Sequence, residues 1–270
     1  MYTVKECKSP KKFISWGCGI QSTALCVMSA LGEIDKVDAI ITAETGWEHQ
    51  YTYKIRDYYI KWLEEHGQMV YVVQEGDIHN DLDRLSIPAW CDNGAPLRRQ
   101  CTMHYKITPI RRKMRELCGL RLDNKGRTFK NTAHMLMGIS TDEAERMSDS
   151  NRSWILNRYP LIDVGMSRAG CIDYLKSKGL PVPMKSSCVI CPYIQPSWHK
   201  FVKDNYPKDF QDAVEFDDRL RHLASVIKKA RTKELFIYKG IKPLSEADLE
   251  SDLLREKKAL DFCDSGYCFI

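Results

Sequence analysis

The chain has 270 residues, 43% of them apolar and 29% charged, a globular composition that excludes a disordered or low-complexity chain. Basic residues number 41 and acidic residues 36, for a net charge of +5; this weak surplus admits an anionic ligand but does not mark the whole protein as a polyanion binder. No run of about 18 apolar residues occurs, which excludes a membrane-spanning helix, and a polar, basic start with no apolar stretch behind it leads us to expect a cytoplasmic protein.

The elements alternate from the start. Residues 12–15 are short and apolar enough for a strand, a glycine turn follows at Gly17-Cys18-Gly19, and residues 20–31 have helical spacing. Residues 37–42 read as a second buried strand, 52–66 as an amphipathic helix closed by Gly67, and 69–73 as a third strand. Residues 76–99, with Pro88, Gly94 and Pro96, form a long loop of the kind that often carries function. A helix follows over 108–119 with Pro109 in its first turn, then a polar turn or hairpin over 120–130 and a fourth strand over 134–138. Residues 166–178 are a helix with Ser167 as N-cap and Gly179 beyond its end. Residues 180–193 are rich in Pro and Cys without periodicity, and 196–231 are helical. Alternating strands and helices predict an α/β fold, a Rossmann-like parallel sheet with helices on both faces plus a C-terminal helical region. The expected division is a nucleotide-binding domain over 1–180 and, over 181–270, a cysteine motif, helices and a tail.

The first turn has the chemistry of a phosphate cradle. Glycines let backbone N–H groups approach phosphate oxygens, the helix start adds partial positive charge, and Ser22 and Thr23 add hydroxyls. It matches neither GxxxxGK[ST] nor GxGxxG, and by itself a tight strand-to-helix turn would look the same.

The segment Gly17-Cys18-Gly19-Ile20-Gln21-Ser22-Thr23 resembles the SGGxDS-type PP-loop of the adenine-nucleotide alpha-hydrolase superfamily, and most resembles its phosphoadenylyl-sulfate (PAPS) reductase branch. Residues Thr42-Ala43-Glu44-Thr45-Gly46-Trp47 resemble that family's D-T-G segment, and the stretch from Gly138 to Arg146 resembles its G-x-R-x-x-E-S-x-R segment. The resemblance implies that Ser15, Gly17, Gly19, Gln21, Ser22, Thr23, Glu44, Gly46, Gly138 and Arg146 bind an adenine nucleotide, either ATP or an adenylyl sulfate, with Mg2+ as a further cation. An i,i+3 ion pair with Glu143 is the competing role for Arg146. Gln21 stands where pyrophosphatase members carry Asp, which leans toward the reductase branch.

The eleven cysteines are expected to be reduced. Cys188-Val189-Ile190-Cys191-Pro192 is a C-x-x-C followed by proline, a habit of iron–sulfur loops that also suits half a zinc site or a redox pair. The stretch from Arg98 to Pro109 resembles the C-C-x-x-R-K-x-x-P segment of cluster-bearing adenylyl-sulfate reductases, with Cys101 on its second cysteine. That implies Cys101, Cys188 and Cys191 as ligands of a [4Fe–4S] cluster, with Zn2+ as the alternative metal and Cys171, Cys263 and Cys268 as candidates for a fourth position. Cys171 and Cys26 also read as core thiols. Arg98, Arg99 and Lys106 are placed to meet sulfate or phosphate, and Trp198 reads as a core anchor or a base-stacking ring. Cys263 and Cys268 lie on a short tail similar in place, though not in sequence, to the segment that carries the reductase nucleophile, so they are the candidate catalytic thiols.

Three functions follow as expectations. The first is reduction of an adenylyl sulfate to sulfite by thiol attack, with a thiol reductant protein as partner. The second is ATP-dependent sulfur transfer to nucleic acid, of the DNA phosphorothioation or tRNA thiolation type. The third is a zinc-stabilised nucleotide-binding module without catalysis.

Overall fold

A computed structural model describes residues 8–80, 88–120, 130–221, 223 and 232–252. The chain divides into two compact units. Unit 1 takes Met1–Glu44, Lys54–Gln74 and Lys106–Ser186, and unit 2 takes Thr45–Tyr53, Glu75–Tyr105 and Ser187–Ile270. The expected boundary at 180/181 falls near the last of these breaks. Segments 45–53 and 75–105, within the stretch 1–180, group with unit 2. They are the stretches that leave β2 and β3 and share an apolar cluster with residues beyond 187.

Unit 1 is built on β1 (Lys11–Ser15), β2 (Ala39–Glu44), β3 (Val70–Gln74), β5 (Ala133–Met137) and β6 (Ile155–Arg158), all parallel, in the order β3-β2-β1-β5-β6. Side chains alternate across a strand, so neighbouring residues enter different cores. Ile14, Ile40 and Leu136 face one side, where they pack with α1 (Ile20–Ala30), with Tyr59 and Leu63 of α2 (Gln50–Glu65), with Leu161 of the short α4 (Pro160–Asp163) and with α5 (Arg168–Ser177). Phe13, Ile41 and Met135 face the other side, against Ile110 and Met114 of α3 (Thr108–Leu117). Phe13, Ile14, Ile40 and Ile41 are fully buried, and each such side chain contributes roughly 1.5–3 kcal/mol relative to exposure. The expected Rossmann-like architecture with helices on both faces is therefore observed.

The chain runs outward from β1 through β2 to β3, then returns to the other side of β1 as β5. The reversal falls between β1 and β5, where Ser15 pairs in register with Met137. In open α/β sheets ligands bind at the carboxyl ends of the strands at such a point.

Unit 2 has its own apolar cluster, formed by Ile78, Cys91, Tyr105, Cys188, Ile190, Phe216, Leu235 and Ile237 among others. Its described residues include the helices α6 (Pro196–Asn205) and α7 (Pro207–Arg221), and the two-residue strands β4 (Trp90–Cys91) and β7 (Leu235–Phe236) pair antiparallel. The helical stretch expected over 196–231 is thus divided at Pro207, whose missing N–H and ring interrupt a continuing helix. α3 is preceded by a π-helical stretch, Thr102–Ile107. No described helix is long and apolar enough to cross a membrane.

Candidate functional site

In unit 1 the turn Trp16–Gly19 joins β1 to α1. Cys18, not either glycine, takes the left-handed backbone there, with φ 58°, a conformation costing an L-residue on the order of 1–2 kcal/mol. Gly19 is the N-cap of α1 with extended backbone. No side chain caps the helix, and its first turn holds no acid. A Cβ on Gly19 would meet only Ser186 Oγ, at 3.9 Å; the Ser186 hydroxyl donates to the Gly17 carbonyl. An uncapped helix start leaves its first N–H groups and the positive end of its dipole available to an anion.

Gly138, at the end of β5, meets this turn directly. A Cβ there would lie 2.6 Å from both Ser22 N and Ser22 Cα, so only glycine lets α1 approach β5 so closely. Beyond it, Gln21 Nε2 donates to Ser140 Oγ at 3.4 Å and to Glu143 Oε2 at 3.3 Å. Arg146 Nη1 donates to the same Glu143 oxygen at 2.7 Å. Burial raises the Glu143 carboxyl, against the opposing pull of Arg146 and Arg168. Burial would raise its neighbour Asp142 too, but hydrogen bonds from Ser140 and the Arg168 N–H outweigh it and hold that carboxyl below its ordinary value.

The proposed nucleotide-binding residues are thus placed unevenly. Gly17, Gly19, Gln21, Ser22 and Gly138 surround one helix start at the β1/β5 reversal, and Ser15 ends the strand leading into it. Ser22 Oγ donates to the Gly19 carbonyl at 3.2 Å. Thr23 is fully buried and its Oγ1 accepts from the Trp16 indole at 3.0 Å, so its hydroxyl faces the core. Glu44 ends β2 in an ion pair with Arg56. The ion pair between Arg146 and Glu143 is formed, while Arg146 Nε is buried without a hydrogen-bond partner. Ser140, Glu143, Arg56 and Ser186 were not singled out from the sequence as parts of a binding site. The pairing of Glu143 with Arg146 was legible in their spacing, but its link to Gln21 spans 122 residues and leaves no local signal.

Unit 2 holds the thiols expected to bind metal. Cys188 is 9% exposed, and its thiol donates to Glu48 Oε1 at 3.4 Å. Thr45 Oγ1 lies 3.2 Å from Cys188 Sγ and donates to Glu48 Oε1 at 3.0 Å. The 188–191 turn is fastened to the chain around it: Val189 N–H donates to Trp47 O at 3.0 Å, Cys191 N–H to Cys188 O at 3.1 Å, and the Trp90 indole to Pro192 O at 3.1 Å. Cys101 is half-buried and packs against the cluster that contains Cys188. Gly46, also in this unit, has φ 85°, and a Cβ there would lie 2.6 Å from Asp77 Oδ1. Arg99 lies over the Tyr193 ring at 4.8 Å.

Two thiols on one turn and a third on the same apolar cluster are a soft donor set that suits zinc or an iron–sulfur centre. The thiols are brought into one unit but not around one point. Among the described residues no three His, Cys, Asp or Glu side chains gather closely enough to hold a metal ion.

The other cysteines separate by burial. Cys171 is fully buried in the unit 1 core, and burial pushes its thiol up to about 12. Burial also pushes Cys26 well up, with a further push from Cys18. Cys263 and Cys268 lie outside the described residues. Trp198 is buried in unit 2, stacked on Phe201 with centroids 5.2 Å apart, which is the core-anchor role. It also packs edge-on against His49, whose Nδ1 lies 3.4 Å from Asp209 Oδ2. His199, next to Trp198, is 3% exposed, and burial, aided by His49, pushes it down to about 3.

No protein-family model matches the chain and no curated protein matches it. Among solved structures it is similar to phosphoadenylyl-sulfate (PAPS) reductase from Candida auris in its phosphate complex, at 15% identity over 65% of this chain and 76% of that one, with a TM-score of 0.44. It is also similar to the U34-tRNA thiolase NcsA from Methanococcus maripaludis with its [4Fe-4S] cluster, at 15% identity over 80% of this chain and 72% of that one, with a TM-score of 0.40.

Proposed function

We propose that this chain is a PP-loop enzyme of the PAPS reductase-like kind, binding an adenine nucleotide by its phosphates at the start of α1 and acting on the sulfur of an adenylyl sulfate. One observation carries the reading: an uncapped, acid-free helix start lies against Gly138, at the strand-order reversal between β1 and β5. Backbone N–H groups at Gly19 and in the first turn of α1 would hold the phosphates, with Ser22 beside them. Gln21 in place of a carboxylate favours a substrate already adenylylated over one that must be activated through a metal-bound ATP.

The chemistry balances with thiols alone. A thiolate, Cys263 or Cys268, attacks the sulfur of the adenylyl sulfate; the bond from that sulfur to the phosphate oxygen breaks, and the adenosine phosphate leaves with the electron pair. The enzyme then carries an S-sulfonate. A second thiolate, from the partner dithiol, attacks the cysteine sulfur and expels sulfite, leaving a disulfide for a further thiol to reduce. Cys101, Cys188 and Cys191 would hold an iron–sulfur cluster, which when bound would serve electrostatics and positioning. Thr45, beside Cys188 Sγ, would orient that ligand.

A second reading has an observation of its own. Glu143 brings a carboxylate to within 3.3 Å of Gln21 Nε2, so an acid does stand beside the first turn of α1. That favours ATP-dependent sulfur transfer to nucleic acid, with Mg2+ on the nucleotide.

Anaerobically purified protein is to be incubated in turn with adenylyl sulfate, its 3′-phosphorylated form and ATP, with sulfite, pyrophosphate, iron and acid-labile sulfide assayed. Thiol-dependent sulfite release supports the first reading, and pyrophosphate release from ATP replaces it with the second. A colourless protein holding zinc and releasing neither product leaves only the non-catalytic module.

A further inference from the structure

In unit 2 the two thiol-bearing segments are fastened to each other by residues that carry no thiol. Arg99 stands two residues before Cys101, and Tyr193 stands two residues after Cys191. The Arg99 guanidinium lies over the Tyr193 ring, 4.8 Å from its centroid, and both side chains are half-buried. Trp90 packs edge-on against the same ring with centroids 5.9 Å apart, and its indole donates to Pro192 O at 3.1 Å, one residue from Tyr193. Trp90 is itself held in a short hairpin, where Leu97 N–H donates to Ala89 O at 2.8 Å and Cys91 N–H to Ala95 O at 2.9 Å. That hairpin leads through Arg98 into Arg99 and Cys101. On the other segment, Cys191 N–H donates to Cys188 O at 3.1 Å and Ile194 N–H to Cys191 O at 3.3 Å, which fixes Tyr193 relative to the C-x-x-C turn.

A planar guanidinium is weakly hydrated, so it stacks on an aromatic face and is attracted by the ring quadrupole. A metal centre whose ligands come from two separate segments binds more weakly when those segments must be ordered as the metal arrives. A contact that already holds the segments together removes part of that ordering. Among the described residues the thiols do not surround one point, so a metal must draw them together, and how far they move is set by how the two segments are held. We infer that the Arg99–Tyr193 stack, braced by Trp90, is a positioning contact for the metal centre, holding the Cys101 segment beside the Cys188–Cys191 turn. The inference rests on the ligand set of Cys101, Cys188 and Cys191 proposed above. The stack lies two residues outside each thiol in sequence, so its loss removes no donor atom.

The full chain, purified anaerobically with its iron or zinc in place, is to be mixed with excess EDTA, and metal loss followed by metal analysis and by the absorption of the bound centre. The proteins compared are wild type, Arg99→Gln, Tyr193→Leu, Tyr193→Phe and, as the ligand control, Cys101→Ser. Arg99→Gln and Tyr193→Leu are each expected to lose metal about twofold to fivefold faster than wild type, the range that one cation–π contact supplies. Each should also show a changed absorption of the bound centre, which a loss of global stability alone does not produce. Tyr193→Phe keeps the ring face and is expected to release metal at the wild-type rate, while Cys101→Ser is expected to hold less metal from the outset. Arg99→Gln/Tyr193→Leu is expected to go no further than the larger single change, since both remove the same contact. Wild-type release in both Arg99→Gln and Tyr193→Leu overturns the inference and leaves the ligand set standing. Acceleration in Tyr193→Phe equal to that in Tyr193→Leu overturns it too, since the ring face would then not be what matters. A wild type that holds no metal, or a Cys101→Ser variant that holds it as tightly as wild type, overturns the ligand set and the inference with it.

Discussion

His199 makes the stability of unit 2 depend on pH between pH 7 and pH 5. The imidazole is buried on α6, and burial, with His49 adding to it, pushes it from the ordinary 6.5 down to about 3. Unfolded, it takes up a proton below pH 6.5; folded, it stays neutral until about pH 3. The unfolded chain therefore binds more protons throughout that window, so stability is complete above 6.5 and falls as the pH drops toward 3. Between pH 7 and pH 5 the loss is about 2 kcal/mol, from 1.36 kcal/mol for each pH unit below 6.5, or about thirtyfold in the folded-to-unfolded ratio. Urea titrations at pH 7 and pH 5, read from the fluorescence of the neighbouring Trp198, measure it. His199→Phe keeps a ring of similar size and removes the titration. Other groups respond to acid as well: His134 is lowered mainly by burial, in the same sense, and Glu143 is raised mainly by burial, in the opposite sense. Both are common to the two proteins and cancel in the comparison. An equal loss between pH 7 and pH 5 in wild type and His199→Phe would refute the assignment.

Gly138→Ala places a Cβ 2.6 Å from the Ser22 backbone and is expected to cost about 1–3 kcal/mol as overpacking, read by urea unfolding, and to weaken adenine-nucleotide binding in calorimetry. Arg146→Met strands the buried Glu143 carboxylate; the expected loss is about 3–5 kcal/mol at neutral pH. It should be partly recovered as the pH falls and Glu143 takes a proton, and recovered at neutral pH in Arg146→Met/Glu143→Gln. Ser167→Ala removes the hydroxyl that accepts from Gly170 N–H at the start of α5, and should cost about 1 kcal/mol by the same measurement. Cys171, held up at about 12, and Cys26, raised by burial, should resist a water-soluble disulfide reagent in the folded protein, whereas half-buried Cys101 and Cys191 should react; mass mapping of the labelled sites decides it.

What could be read from the sequence followed the range of the interactions involved. β1, α1, β2 and α5 announce themselves through local apolar spacing, and Ser167 caps α5 as its position suggests. β6 does not, because Ile155–Arg158 carries only two apolar residues and its strand character comes from pairing with β5. β4 and β7 are two residues each and exist through each other across more than a hundred residues. The π-helical stretch before α3 has no sequence signature that separates it from the α-helix it enters. For the same reason the glycine turn after β1 was legible, since it lies in one short segment, whereas the groups behind it come from β5 and the loop that follows. The hydrogen bond from the Trp16 indole explains why Thr23 faces the core, a direction that a run of hydroxyl residues at a helix start does not reveal.

An amide rather than an acid at position 21 has a physical cause in Glu143. A carboxylate at position 21 reaching where the Gln21 amide lies would stand about 3.3 Å from the Glu143 carboxylate, and two such groups in a partly buried place cannot both remain ionised. An amide resolves this by donating Nε2 to Glu143 and to Ser140. The negative charge is thereby moved off α1 and onto the loop after β5, where Arg146 neutralises it. The first turn of α1 is left with no formal charge and with its helix dipole unopposed by an acid of its own. The neutralised pair adds little field of either sign, while Arg146 keeps a buried Nε donor without a partner. The helix end thus keeps its positive dipole, and the one carboxylate beside it is paired with Arg146.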